Sequence, residues 1–382
     1  MRVLRHIIWI SIVFIGCNNP SASIGSIVSN SAIHEIDTYC YDVDLTDNII
    51  VVAASNGGYY KYSYELNSDA FPVLTPIVQS QSNHNPDFYN DSIDRVVISD
   101  NDVGMIYMLD KYSGGSSGIW FDSASGVSVD PSLVSDYCFQ GKYLDITLDE
   151  SELPNSGFET KIIYSLMKHT DLNENNDDDL IASYSSSIVK RTINIIQNES
   201  AGELQSVDLI VGDCEFLQTL NYDSNAIDFN NNKLAVASES EGIIVFEKND
   251  SGSIDNLFNS SDLFSFNLSG GEAQTVSVLE DAVIGGFSND KGCYMALLGS
   301  DASETVYLSF GEGYSIKGID YSNGLIALAT GSDGVQLYQW GGGNNVLPYG
   351  SIETDYAYSV VIRNGLVFVA TKSGLEIYKI GN

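Results

Sequence analysis

Four stretches of the chain repeat one plan: an Asn or Asn-Gly turn, an apolar run, a glycine and a second apolar run. They are Asn48–Tyr62 (NIIVVAASNGGYYKY), Asn232–Phe246 (NKLAVASESEGIIVF), Asn323–Tyr338 (NGLIALATGSDGVQLY) and Asn364–Tyr378 (NGLVFVATKSGLEIY). A unit of this kind cannot bury its apolar faces alone, so copies must stack against one another, and the repeat constrains the fold more than any other feature. The Asn and Gly positions are hairpin signals between β-rich runs. Degenerate copies surround Asp102–Phe121 and Asp281–Leu297, with Gly118 and Gly292 in the place of the second turn.

Between Gly118 and Gly242 there is room for one more copy, for which Tyr143–Leu148, Thr160–Leu166 and Leu180–Tyr184 supply three strands. That makes seven units of roughly 40 to 60 residues, the blade length of a β-propeller. Residues 188–220 exceed one outer strand and read as a hairpin insertion or the remains of an eighth blade; seven blades is the favoured count. The last copy ends at Ile380 without a fourth strand, while Ile27–Ile36 is β-compatible and unassigned, so the N-terminal segment is expected to complete the last blade and cover its edge. No stretch carries sustained helical periodicity, and the expected class is all-β, a single propeller over residues 31–382.

The pattern of an Asp in the first strand, then Asn-(Gly)-apolar-Val-Ala, then Gly-apolar-x-apolar-Tyr, resembles the LVIVD-type propeller repeats of exported bacterial proteins. It is clear at Ser224–Phe246 and Lys317–Ile380 and weak between Val103 and Leu220. The resemblance implies a surface or envelope binding scaffold and carries no catalytic motif.

The N-terminus supplies an address. Arg2 and Arg5 precede a nine-residue apolar run, Ile7–Ile15, too short to span a bilayer and suited to a secretory signal over residues 1–16. Phe14-Ile15-Gly16-Cys17 resembles the lipobox of bacterial lipoproteins, with Phe14 where Leu is usual; the resemblance implies acylation at Cys17, and Asn18 in place of Asp implies the outer membrane. Residues 17–30 then read as a flexible tether, and the lipid as the only membrane contact. Cys40, Cys138, Cys214 and Cys293 lack CxxC spacing, so they announce no zinc or redox motif; disulfides are permitted in an exported chain, and three full pairings stay open.

Charge narrows the partners. The chain has 51 Asp and Glu against 17 Lys and Arg, a formal charge of -34, which becomes -36 without the first 16 residues. Such a field repels nucleic acid phosphates and anionic lipid, and leaves envelope or extracellular proteins, glycans and cations. Nothing in the pattern demands an oligomer, and a monomer is expected.

Two acidic features invite chemistry. Asp171-Leu172-Asn173-Glu174-Asn175-Asn176-Asp177-Asp178-Asp179 places oxygen ligands at alternate positions, suiting a hard cation with oxygens at about 2.3 to 2.6 Å. It resembles the calcium loop of FG-GAP-type blades, which implies Asp171, Asn173, Asn175, Asp177 and Asp179 as ligands of a structural Ca2+. Asp44, Asp145, Asp228 and Asp320 recur in the first strands of four copies and are candidate channel-lining acids; the plainer reading is that each satisfies backbone donors. No nucleophile, base and orienter set emerges around His34, His84 and His169 or Arg95, Arg191 and Arg363, so no catalytic residue is assigned. The expected role is a lipid-anchored binding or scaffolding module; the alternatives are an envelope carbohydrate-active enzyme using the channel mouth and a structural subunit of a surface assembly. Most tyrosines, Tyr62, Tyr338 and Tyr378 among them, are expected to pack between blades, with Tyr59, Tyr112, Tyr314 and Tyr356 near turns.

Overall fold

A computed structural model of the chain describes residues 27–80, 92–100, 104–110, 118–124, 128–129, 141–149, 159–169, 186–200 and 203–381. These residues form seven antiparallel sheets arranged as the blades of a propeller. β1 (Val28–Glu35) precedes blade 1, which is β2 (Asp42–Leu45), β3 (Ile49–Ala53), β4 (Tyr59–Leu66) and β5 (Pro72–Ser80). Blade 2 is β6 (Ile93–Ile98), β7 (Met105–Asp110) and β8 (Gly118–Ser123) among the described residues; the short β9 (Ser128–Val129) pairs parallel with the edge of blade 3. Blade 3 is β10 (Gly141–Asp149), β11 (Glu159–His169), β12 (Ser186–Ser200) and β13 (Glu203–Leu220). Blade 4 is β14 (Ser224–Asn230), β15 (Lys233–Ser238) and β16 (Gly242–Lys248), with its outer strand split into β17 (Ile254–Asn256) and β18 (Phe264–Phe266), both paired with β16. Blade 5 is β19 (Ala273–Val278), β20 (Ala282–Phe287), β21 (Gly292–Leu297) and β22 (Val306–Phe310). Blade 6 is β23 (Gly318–Ser322), β24 (Leu325–Ala329), β25 (Val335–Gln339) and β26 (Leu347–Ile352), and blade 7 is β27 (Ala357–Arg363), β28 (Leu366–Thr371) and β29 (Gly374–Ile380).

The ring closes as the repeat requires. β1 pairs antiparallel with β29, from Val28 opposite Ile380 to Glu35 opposite Gly374, so the first strand of the chain is the outermost strand of its last blade. The long segment after blade 3's second strand also resolves: β12 and β13 pair from Ser186 opposite Leu220 to Ser200 opposite Glu203 and are the third and fourth strands of one blade. There is accordingly no eighth blade there, and the third strand of blade 3 begins at Ser186; residues 180–184 lie outside the described residues.

Second strands such as β20 and β28 are buried at every position, because both faces of a blade are covered by its neighbours. The apolar side chains sort into seven clusters, one at each interface between adjacent blades, including the closing interface where Val43 and Ile50 of blade 1 meet Phe368 and Ile377 of blade 7. Buried ion pairs cross two of these interfaces. Lys61 Nζ lies 2.6 Å from Asp122 Oδ2 between blades 1 and 2, where the Tyr59 hydroxyl also donates to Asp122, and Lys248 Nζ lies 2.6 Å from Asp149 Oδ2 between blades 4 and 3.

The recurrent glycine stands at or just before the third strand in six of the seven blades, blade 3 being the exception, and for a steric reason. Gly334 has φ of 72°, and a Cβ built there would stand 2.2 Å from the Ile352 carbonyl oxygen of the outer strand. Gly374 meets the His34 carbonyl oxygen of β1 at the same distance, 2.2 Å, so only glycine lets the outer strand close onto the turn.

Candidate functional site

The innermost strands β2, β6, β10, β14, β19, β23 and β27 form the channel wall, each touching the next and β27 touching β2. Their leading residues line a cavity of about 390 Å3 at the channel mouth. Asp44, Asp145, Asp228 and Asp320 all line it, as do Asp42 and Asp94, which the repeat pattern does not single out.

The carboxylates bind the ring together before they face the cavity. Asp44 Oδ2 accepts the Ile98 N–H at 2.9 Å, Asp228 Oδ2 accepts the Val278 N–H at 2.7 Å, and Asp320 Oδ2 accepts the Ile362 N–H at 2.6 Å. In each case the donor lies on the inner strand of the next blade. The other oxygen turns back to the chain: Asp44 Oδ1 accepts from Leu45 N–H at 2.8 Å. Blades 5 and 7 carry Ser277 and Val361 at this position in place of the acid.

Asp145 does not share their position. Its Oδ2 accepts the Ile227 N–H at 3.0 Å, whereas Thr147 Oγ1 accepts the Phe229 N–H at 3.2 Å, immediately after Asp228. Thr147 thus occupies the place of Asp44, and Asp145, two residues earlier, is the equivalent of Asp42, whose Oδ2 accepts from Val96 N–H at 3.1 Å. The expectation of one ring of four acids becomes two staggered tiers. The offset lies in the residues themselves, Thr147 standing where Asp44 and Asp228 stand in blades 1 and 4; the register shift between Tyr143 and Asp145 has counterparts in β6, β14, β19 and β27.

Arg95 sits between the tiers. Its Nη1 donates to Asp42 Oδ2 at 3.0 Å and its Nε lies 3.0 Å from Asp145 Oδ1, so one guanidinium joins the inner strands of blades 1, 2 and 3. Burial alone would lower its pKa, but Asp42, Asp145, Asp44 and Asp228 outweigh that and raise it. The same burial pushes the Asp44 carboxyl up to about 7, with Asp42 adding to the rise, and Asp320 up to about 6; Asp228 is raised as well. In each, backbone N–H donors oppose the shift without cancelling it.

Tyrosines crowd one side of the mouth, where blades 7 and 1 meet. Tyr41 packs edge-on against Tyr358 at a centroid distance of 4.9 Å, Tyr356 lies 4.5 Å from Tyr358, and half-exposed Tyr39 stands 6.5 Å away. Tyr41 and Tyr358 line the cavity, and Lys372 Nζ lies 4.4 Å over the Tyr356 ring. The sequence pattern placed Tyr356 near a turn but gave no sign of this cluster, because its members come from opposite ends of the chain. Elsewhere Tyr338 and Tyr378 are buried between blades, and Tyr59 is buried under Asp122.

Cys40 and Cys293 are buried and free, and Cys214 is disulfide-bonded. Cys17, Cys138 and the acidic string with Asp171, Asn173, Asn175, Asp177 and Asp179 lie outside the described residues. Among the described residues no group of three or more His, Cys, Asp and Glu side chains is arranged to hold a metal ion, and no helix is long and apolar enough to cross a membrane.

Fold and channel together define a seven-bladed β-propeller. Solved structures agree on the fold. A mitotic checkpoint complex structure matches with a TM-score of 0.57 at 10% identity, covering 100% of this chain and 99% of that one. The WD40 β-propeller domain of Doa1 matches with a TM-score of 0.50 at 14% identity over 92% and 96% of the two chains. The computationally designed Ika8 protein matches with a TM-score of 0.50 at 10% identity over 91% and 98%. No family model and no curated protein matches the chain. At such identities the likeness extends to the propeller fold and no further.

Proposed function

We propose that this chain is an exported, lipid-anchored binding module that offers its channel mouth to a protein or glycan of the cell envelope. The observation that carries the reading is the cavity of about 390 Å3, whose walls are fixed by seven interlocked strands while its rim carries clustered tyrosines. Rigid scaffolds that present a concave polar site with aromatic anchors suit recognition. The disulfide at Cys214 fits an oxidising compartment, in keeping with the signal-like residues 1–16 and the lipobox-like sequence ending at Cys17. The LVIVD-like repeat points the same way, to an outer-membrane lipoprotein acting as a monomer. Within this reading Asp171–Asp179 holds a structural Ca2+, which an EDTA-insensitive melting temperature in wild type and in Asp171→Ala/Asp179→Ala would refute.

The test is capture from envelope extract by the soluble form beginning at Asn18. The reading expects a partner retained by wild type and released by Tyr358→Ala; equal recovery by both proteins counts against it. Cys17→Ala should move the full chain from the membrane to the soluble fraction. A second reading is a carbohydrate-active enzyme at the same mouth, where Asp44 lines the cavity and burial pushes its carboxyl up to about 7, the range in which a proton donor operates near neutral pH. Glycan turnover abolished by Asp44→Asn in a folded protein would decide for it.

A further inference from the structure

Six aspartates line the mouth cavity against two cations, Arg95 and Lys317. Arg95 is committed to Asp42 and Asp145, and Lys317 stands exposed at the rim. The carboxyls of Asp44, Asp228 and Asp320 are met directly by neutral backbone N–H groups, while Arg95 acts on Asp44 and Asp228 and Arg363 on Asp320 as charges whose pull burial outweighs. Charge at this end of the channel is therefore unbalanced, and burial makes the imbalance costly, as the raised titration of those three groups reflects. The complement is positive. A bare metal ion fits poorly, since the acids are spread around a ring of strands and no three converge.

The wall adds a second, independent requirement. Tyr41 and Tyr358 line the same cavity, and aromatic rings attract cations that carry hydrocarbon more readily than strongly hydrated ones. The protein already uses the neighbouring ring in this way, with the Lys372 ammonium 4.4 Å over Tyr356. A cavity of about 390 Å3 is far larger than one ion and suits a short alkyl chain with a charged head.

We infer that the channel mouth is a receptor site for an alkylammonium group, with the ammonium drawn toward the acid tiers and its carbon chain against Tyr41 and Tyr358. The inference rests on the reading of the mouth as the ligand site and names the chemistry that site takes. The group can arrive on a free amine or on a lysine side chain of a partner protein.

Calorimetry on the purified full chain separates these cases, with n-butylammonium, a short acetylated lysine peptide, its Nε-acetyl counterpart, glucose and calcium chloride as probes. The expected result is binding of butylammonium, with no heat from glucose or from the Nε-acetyl peptide. Binding of the lysine peptide as well assigns the group to a protein partner, and binding of butylammonium alone assigns it to a free amine. Asp94→Asn, which removes a charge without changing size, and Tyr358→Leu, which removes a ring, should each weaken butylammonium by about tenfold. Far-UV circular dichroism shows whether each variant is folded, and Asp94→Asn decides alone if Tyr358→Leu is not. Glucose binding in place of butylammonium overturns the ammonium class but leaves the mouth as a ligand site; no heat from any probe overturns both. Calcium binding that Asp94→Asn and Tyr358→Leu abolish, or butylammonium binding that neither variant weakens, also overturns the inference.

Discussion

Asp320 on the inner strand of blade 6 accepts the backbone N–H of Ile362 on the inner strand of blade 7 at 2.6 Å, and so adds a side-chain tie between two blades whose backbones also meet in the Gly331–Ala357 bridge. Asp320→Ala removes the acceptor and leaves a partly buried N–H without it, a loss of about 1 to 3 kcal/mol. Urea unfolding measures it, with exposed Asp262→Ala as a control that should change little. Equal losses in the two variants would show that the staple contributes nothing beyond a surface charge.

The same carboxyls make stability depend on pH in an unusual direction. Burial raises Asp44 to about 7 and Asp320 to about 6, above the ordinary carboxylate value of 3.8 that they regain on unfolding. Between about pH 4 and 7 the folded state therefore holds more protons than the unfolded state, and stability falls as pH rises through that window. The contribution is fully present below the unfolded value and gone above the folded one. Unfolding midpoints at pH 5, 6 and 8 should decline in that order for wild type, and the decline should be shallower for Asp44→Asn, which cannot ionise. A midpoint that rises with pH, or an unaltered slope in the variant, contradicts this account.

How far the sequence disclosed this site depends on the residue. The second strands and their Asn and Gly turns were legible in blades 1, 4, 6 and 7, because a strand buried on both faces must be a continuous apolar run and its hairpins need left-handed residues such as Asn323 and Asn364. The offset of Asp145 was not legible. A slip of two residues keeps every side chain on the same face, so strand alternation cannot reveal it; only the bonds from Ile227 and Phe229 do. Arg95 was hidden for a different reason: its partners Asp42 and Asp145 lie about 50 residues away on either side, and nothing local marks them. In blade 3 the described third strand is Ser186–Ser200, and the Leu180–Tyr184 run lies outside the described residues.

Arg95 should be the least replaceable side chain of the channel. Arg95→Met leaves Asp42 and Asp145, both almost inaccessible at 4% and 7%, without their shared cation. Breaking a buried pair by removing one member costs about 3 to 5 kcal/mol, and because Arg95 itself is 33% exposed a loss near the lower end is expected. Arg95→Lys, which reaches one acid but cannot bridge two, should recover part of it. Thermal denaturation ranks the three proteins, and a Met variant as stable as wild type would mean that the bridge does not hold blades 1 to 3 together.

Two glycines with nearly the same backbone angle separate conformational strain from crowding. Gly334 and Gly365 have φ of 72° and 75°, but a Cβ at Gly334 would stand 2.2 Å from the Ile352 carbonyl oxygen, while at Gly365 it would meet nothing within 4 Å. Gly365→Ala should cost about 1 to 2 kcal/mol, the strain of an L-residue in the left-handed region. Gly334→Ala adds to that strain a collision with the backbone of β26, which must move away from β25 or lose its pairing at the Val335–Ile352 end. Its loss should exceed that of Gly365→Ala by at least about 1 kcal/mol. Chemical denaturation of both variants checks the difference, and amide exchange at β26 should accelerate only in Gly334→Ala. Equal losses would mean that the repeated glycine is kept for its backbone angle alone and that the outer strand's approach sets no further demand.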